Sequence, residues 1–187
     1  MRKNLLNGLF LGLLIAVLAI APSHNLGVMA FAQQAGANAV KTDFAEIGDA
    51  LMKEKIGFLT LGISGDIVLK NLGEPEKKSA ARIWGADGLE HHSWYYPAKG
   101  IEFDLVRKDG KLIVDRISIE RPCDFKTQRG IQIGSNTAEV QAAYKSEINP
   151  HYGSPESSIV AGTVFGGIIF GIKDGRVQSI FVGASAE

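Results

Sequence analysis

Gly100-Ile101-Glu102-Phe103-Asp104-Leu105 alternates apolar and polar side chains and runs on to Lys108-Asp109-Gly110-Lys111. Further along, Gly167-Ile168-Ile169-Phe170-Gly171-Ile172 runs on to Lys173-Asp174-Gly175-Arg176. A period of two marks a strand with one face on a core. Asp-Gly favours the tight turn of a hairpin, because its residues tolerate positive φ. Return strands follow, with Ile117 and Ile119 in the first case and Ile180 and Val182 in the second. The same hairpin is written twice.

What precedes each hairpin also repeats. Leu59-Thr60-Leu61-Gly62 leads to Ser64, then Ile67, Val68 and Leu72, then Gly73-Glu74-Pro75. Ile131-Gln132-Ile133-Gly134 leads to Asn136, then Val140, Ala143 and Tyr144. Each reads as an extended segment, a glycine turn, a Ser or Asn cap and a two-turn helix. Gly73 and Pro75 stop the first helix. Asn136 with Glu139 forms a capping box for the second, which has Lys145 where a glycine stop would stand. The expected fold class is α+β: two tandem units, each with a short helix packed on an antiparallel sheet. Unit 1 spans 58–121 and unit 2 spans 122–187, joined through Ile119 to Gly130 with Pro122.

The N-terminus reads as an export signal. Arg2 and Lys3 precede an almost wholly apolar run from Leu5 to Ala21, and Ala30-Phe31-Ala32 supplies small residues before a cut. Residues 1–32 are therefore expected to be a signal peptide cleaved after Ala32, with an uncleaved membrane anchor as the alternative. Residues 33–57 are expected to be a leader followed by a helix from Asp43 to Ile56. Phe44, Ile47 and Leu51 lie on one face of that helix, and Asp43 and Glu46 resemble a capping box. Taking Arg2 and Lys3 away with the signal leaves 18 basic against 20 acidic residues. Nothing in that balance draws nucleic acid. Cys123 is the one cysteine, so no internal disulfide is possible and no lipid-anchor cysteine follows Ala32. The expected location is periplasmic or extracellular.

The string Gly62-x-Ser64 with Val68, Leu72-Gly73-x-Pro75, Trp94-Tyr95-Tyr96, Gly100-Ile101-x-Phe103 and the Asp-Gly hairpin resembles the β-lactamase-inhibitor-protein-like fold. Small outer-membrane-assembly lipoproteins of the BamE type share it. The resemblance covers roughly residues 57 to 183. It implies helices on one face of an antiparallel sheet and an open face that grips a partner protein. The chain departs from the BamE type in its duplication and its missing anchor cysteine.

Chemistry leaves little trace. His91-His92 lacks the spacing of metal ligands and reads as part of a solvated loop. There is no nucleophile elbow or phosphate loop. The expectation is a non-enzymatic protein-binding module with no cofactor, no metal site and no catalytic residue. An alternative is a structural BamE-like part of an envelope assembly; a small-ligand binder or hydrolase comes last. Candidate contact residues for an unidentified protein partner are Trp84, Trp94, Tyr95, Tyr96, Ile169 and Phe181. Trp and Tyr are favoured anchors. Ile169 and Phe181 stand where the first copy has Glu102 and Ser118. Something should cover them: a partner, a second copy or the helix at Asp43 to Ile56.

Overall fold

The computed structural model describes residues 44–85 and 87–185. The expected signal peptide with its cut at Ala32, the expected leader and the expected Asp43 cap lie outside the described residues. Helix α1 covers 44–51 and is shorter than the sequence pattern suggests. After it the backbone folds back on itself at Gly57 (φ +60°), where Ile56 and Leu59 exchange backbone hydrogen bonds. Only a residue without Cβ takes that left-handed turn at little cost.

Helix α2 is Gly65–Leu72 and α3 is Thr137–Ala143. Their caps differ. Asn136 Oδ1 accepts from the Glu139 N–H, and the Glu139 carboxylate accepts from the Asn136 N–H, so the capping box is complete. Ser64 has the extended backbone of a cap, but its side chain makes no capping bond. Gly73 ends α2 at φ +82°, as its position in the sequence suggests.

The strands are β1 (Lys77–Lys78), β2 (Arg82–Ile83), β3 (Glu90–Tyr96), β4 (Ile101–Lys108), β5 (Lys111–Glu120), β6 (Ile148–Ser154), β7 (Ser158–Thr163), β8 (Gly166–Lys173) and β9 (Arg176–Gly183). A short 3₁₀ turn, Pro97–Lys99, joins β3 to β4. The nine strands of the described residues form one antiparallel sheet in the order β1-β3-β4-β5-β9-β8-β7-β6, with β2 also on β3. The fold is α+β. The sequence boundary at residue 122 falls just after β5, yet β5 pairs with β9, so strands from both sides of it share the sheet.

Particular local features recur on the two flanks of that seam. Gly62 N–H and Ile63 C=O bond to Val114, while Gly134 N–H and Ser135 C=O bond to Val177. Each Asp-Gly turn places its Asp at positive φ, 49° for Asp109 and 52° for Asp174. Each hairpin carries a register shift, at Asp104/Leu105 and at Gly171/Ile172. The extended segments expected at Leu59–Leu61 and Ile131–Ile133 are irregular or turn backbone instead, apart from one isolated bridge at Leu59. They are too short to join the sheet, and they steer the chain into the helices.

One face of the sheet holds the core. Phe103, Leu105, Ile117, Phe170, Ile180 and Val182 pack there with Val68 of α2, Val140 of α3 and Leu51 of α1. Tyr96 and Phe103 meet edge to face, with ring centroids 5.9 Å apart. The buried Glu54 carboxylate accepts from Tyr144 Oη, tying the segment after α1 to the end of α3. Burial and the Glu54 carboxylate both push the Tyr144 phenol well above its ordinary range. α1 also meets the β7–β8 turn at Gly48, where a Cβ would collide with the Gly166 carbonyl oxygen.

Candidate functional site

The other face of the sheet carries no helix among the described residues. Strand alternation fixes what it presents. With Trp94 and Tyr96 in the core, Tyr95, Ser93 and His91 point the other way. Glu102 and Asp104 join them from β4, Arg116 and Ser118 from β5, Ser179 and Phe181 from β9, and Ile169 and Val160 from β8 and β7.

Pairing lines these residues into rows. The register gives Tyr95↔Glu102, Glu102↔Ser118, Ser118↔Phe181, Phe181↔Ile169 and Ile169↔Val160. One row therefore crosses six strands and the seam. At the seam Ser118 sits directly opposite Phe181, the residue at the matching place in the other hairpin. Stepping outward on either side, Glu102 matches Ile169 and Tyr95 matches Val160. Half of the row is polar and half is apolar. Glycines and serines flank the apolar half, with Gly162, Gly167 and Gly183 in one neighbouring row and Ser158, Gly171 and Ser179 in the other. Short neighbours leave Ile169 and Phe181 standing proud. Both are half-buried, while Val160 is buried.

The polar half holds a shallow cleft of about 350 Å³. Tyr95, Glu102, Ser118, Glu120 and Ser179 line it, and the 3₁₀ turn at Pro97 rims it. Glu102 is raised above the ordinary carboxylate range, first by desolvation and then by the charges of Asp104 and Glu120. Lys77 Nζ sits 5.3 Å from the centre of the Tyr95 ring. Among the described residues neither Glu102 nor Glu120 has an ion-pair partner within 4.0 Å.

Beside the cleft is a cluster that the sequence conceals. His91 is 1% exposed and lies on β3, not in a solvated loop. Its Nδ1 is 2.7 Å from Asp104 Oδ1 and its Nε2 is 2.9 Å from Asp87 Oδ2. Two carboxylates thus face the two ring nitrogens, one on each side of the imidazole. The Trp84 ring stacks on the imidazole at 3.8 Å, 2° from parallel. The Arg116 guanidinium lies 4.2 Å from the Trp84 ring centre. Burial raises the Asp104 carboxyl, against the opposing pull of the His91 hydrogen bond and of the His91 and Arg116 charges. Asp87 is held below the usual carboxylate range, first by the Leu89 N–H and then by His91. His92 faces the opposite way and meets Glu90 at 2.6 Å, so the two histidines share no site. No group of His, Cys, Asp and Glu suited to a metal ion occurs among the described residues.

No protein-family model matches this chain, and neither does any curated protein or solved structure. The site is therefore read from its own geometry.

The six sequence candidates separate into three groups. Trp94 and Tyr96 are core residues, 5% and 1% exposed, and present no surface to a partner. Their period-two spacing with Phe103 and Leu105 on the next strand puts them under α2. Tyr95, Ile169 and Phe181 lie in the single cross-sheet row. Trp84 stands beside that row, fixed on His91. Helix α1 is not the cover for Ile169 and Phe181, because Leu51 and Ile47 bind it to the core on the opposite face. Glu102, Glu120, Ser118 and Ser179 are the residues that sequence reading passed over as contact candidates. The signal available for them was the hairpin register, which aligns Glu102 with Tyr95. Cys123 is a free, buried thiol near the chain reversal after β5.

Proposed function

We propose that this chain is an exported, non-enzymatic protein-binding module of the cell envelope that holds a partner on the helix-free face of its sheet. The observation carrying this reading is the accessible part of the row, Tyr95–Glu102–Ser118–Phe181–Ile169. It is built on hydrogen-bonded strands, so little ordering is needed when a partner docks. Burying an apolar side chain of this size is worth about 1.5–3 kcal/mol. Ile169 and Phe181 forgo part of that in the free chain, and a partner seated on the row would recover it. Tyr95 and Trp84 add amphipathic rings of the kind that anchor interfaces. The resemblance to β-lactamase-inhibitor-protein-like units, which grip partners through an open sheet face, supports the same reading. The basic and apolar N-terminal segment supports export.

The test is a paired comparison of the native chain with Ile169→Glu/Phe181→Ser, each used to capture envelope proteins. The variant is expected to keep a single cooperative melt and to lose a partner retained by the native chain. Loss of the cooperative melt would mean that the two residues are core. Unchanged capture would remove the row from the binding surface.

A further inference from the structure

The cleft at the polar end of the row is built to receive one kind of group. Its two carboxylates, Glu102 and Glu120, stand on neighbouring strands, and the pairing Glu102↔Ser118 makes them diagonal neighbours. Such neighbours lie about 7–8 Å apart at their Cα atoms, a gap that one planar cation can bridge. Tyr95 supplies an aromatic wall. Ser118 and Ser179 keep the floor low and offer hydroxyls. The only charges lining the cleft are negative, and neither carboxylate is neutralised by an ion pair among the described residues. The apolar bar Phe181–Ile169 begins one strand away, across the Ser118↔Phe181 pair.

We infer that the partner presents an arginine side chain to this cleft, with an apolar patch next to it for Phe181 and Ile169. Charge complementarity selects a cation. A planar guanidinium fits better than an ammonium, since it can donate to both carboxylates and lie on the Tyr95 ring at once. Lys77 already occupies space near that ring without pairing with either glutamate, so the carboxylates stay available. This inference rests on the protein-binding reading and names the chemistry of its partner.

The experiment uses the full chain and three small probes: N-acetyl-arginine amide, N-acetyl-lysine amide and N-acetyl-citrulline amide. Backbone amide shifts of Gly100, Glu102, Ser118 and Ser179 are followed during titration. Saturable shifts are expected with the arginine probe, weaker ones with lysine and none with citrulline. Glu102→Gln/Glu120→Gln should weaken the arginine response at least about tenfold, the size of one charge-assisted contact. Equal responses to arginine and citrulline, or a response untouched by the double variant, would overturn the inference. Capture from envelope extract separates this failure from the broader one. A partner lost by Ile169→Glu/Phe181→Ser but kept by Glu102→Gln/Glu120→Gln overturns the arginine anchor and leaves the binding face standing. A partner kept by both variants overturns both.

Discussion

Replacing His91 by leucine isolates the most concentrated electrostatic feature of the molecule. In the native chain Asp104 is 11% exposed at its side chain and bonds His91 at 2.7 Å. His91→Leu removes both ring nitrogens, and it leaves the Asp104 carboxyl desolvated and without that partner. Breaking a buried pair from one side costs about 3–5 kcal/mol. Arg116, whose charge already acts on Asp104, offsets part of that and moves the expectation to the lower end. Loss of the stack on Trp84 adds about 0.5–1.5 kcal/mol. The sum is about 3.5–4.5 kcal/mol, a large share of the 5–15 kcal/mol that holds a domain of this kind together. Urea unfolding read by tryptophan fluorescence measures it. Trp84 and Trp94 are the two tryptophans, so a Trp94→Phe background makes the Trp84 loop the sole reporter. The double variant His91→Leu/Asp104→Leu removes the stranded charge and should recover more than half of the loss. A single-variant cost below about 1 kcal/mol, or a double variant no better than the single, would refute this reading of the cluster.

Three further outcomes follow from the geometry. Glu102 is raised in the folded chain, so its ionisation opposes folding and its contribution becomes less favourable as pH climbs through its titration range. Glu102→Gln should therefore raise the melting midpoint at neutral pH and flatten the acid-side slope, measured by thermal melts from pH 4 to 8. Gly48→Ala should cost about 1–3 kcal/mol in urea, because the new methyl group meets a backbone carbonyl that cannot move aside. Asn136→Ala should cost about 0.5–2 kcal/mol through loss of the capping box, whereas Ser64→Ala, which removes no capping bond, should shift the same urea midpoint very little.

The hairpins were legible because their information is local. Alternation around Ile101 and Ile168 and two Asp-Gly turns fix strand, turn and facing without reference to the rest of the chain. So were the Asn136 box and the Gly73 stop. The divergence of Glu102 from Ile169 and of Ser118 from Phe181 was also readable from the sequence, although their lying in one row depends on how β5 and β9 meet. Strands β6 and β7 were not readable. Pro150 and Gly153 interrupt the first, and Ile159, Val160 and Ala161 give the second a run without alternation. His91 escaped for a different reason. Its burial comes from Trp84 and Asp87, which fold back over it from the irregular loop just before β3, and from Asp104 on the next strand. The tight reversal between Tyr96 and Ile101 would have placed Asp104 beside Ser93, one pleat from His91, had the register been counted backward from it.

The seam has a consequence for how the chain reaches this fold. β9 follows every other strand in sequence but lies inside the sheet, with β5 on one side and β8 on the other. During synthesis β3, β4 and β5 can associate early, and β5 then offers a bare edge to any extended chain nearby. Only the arrival of residues 176–183 fills that edge. The pairing of Ile117 with Val182 closes a loop of more than sixty residues, so assembly is set by a distant contact and should be slow beside that of a helical protein of equal length. Two similar flanks with a shared, late-closing centre should also melt as one body. Truncation before β9 should yield an aggregating half-sheet instead of a smaller working copy.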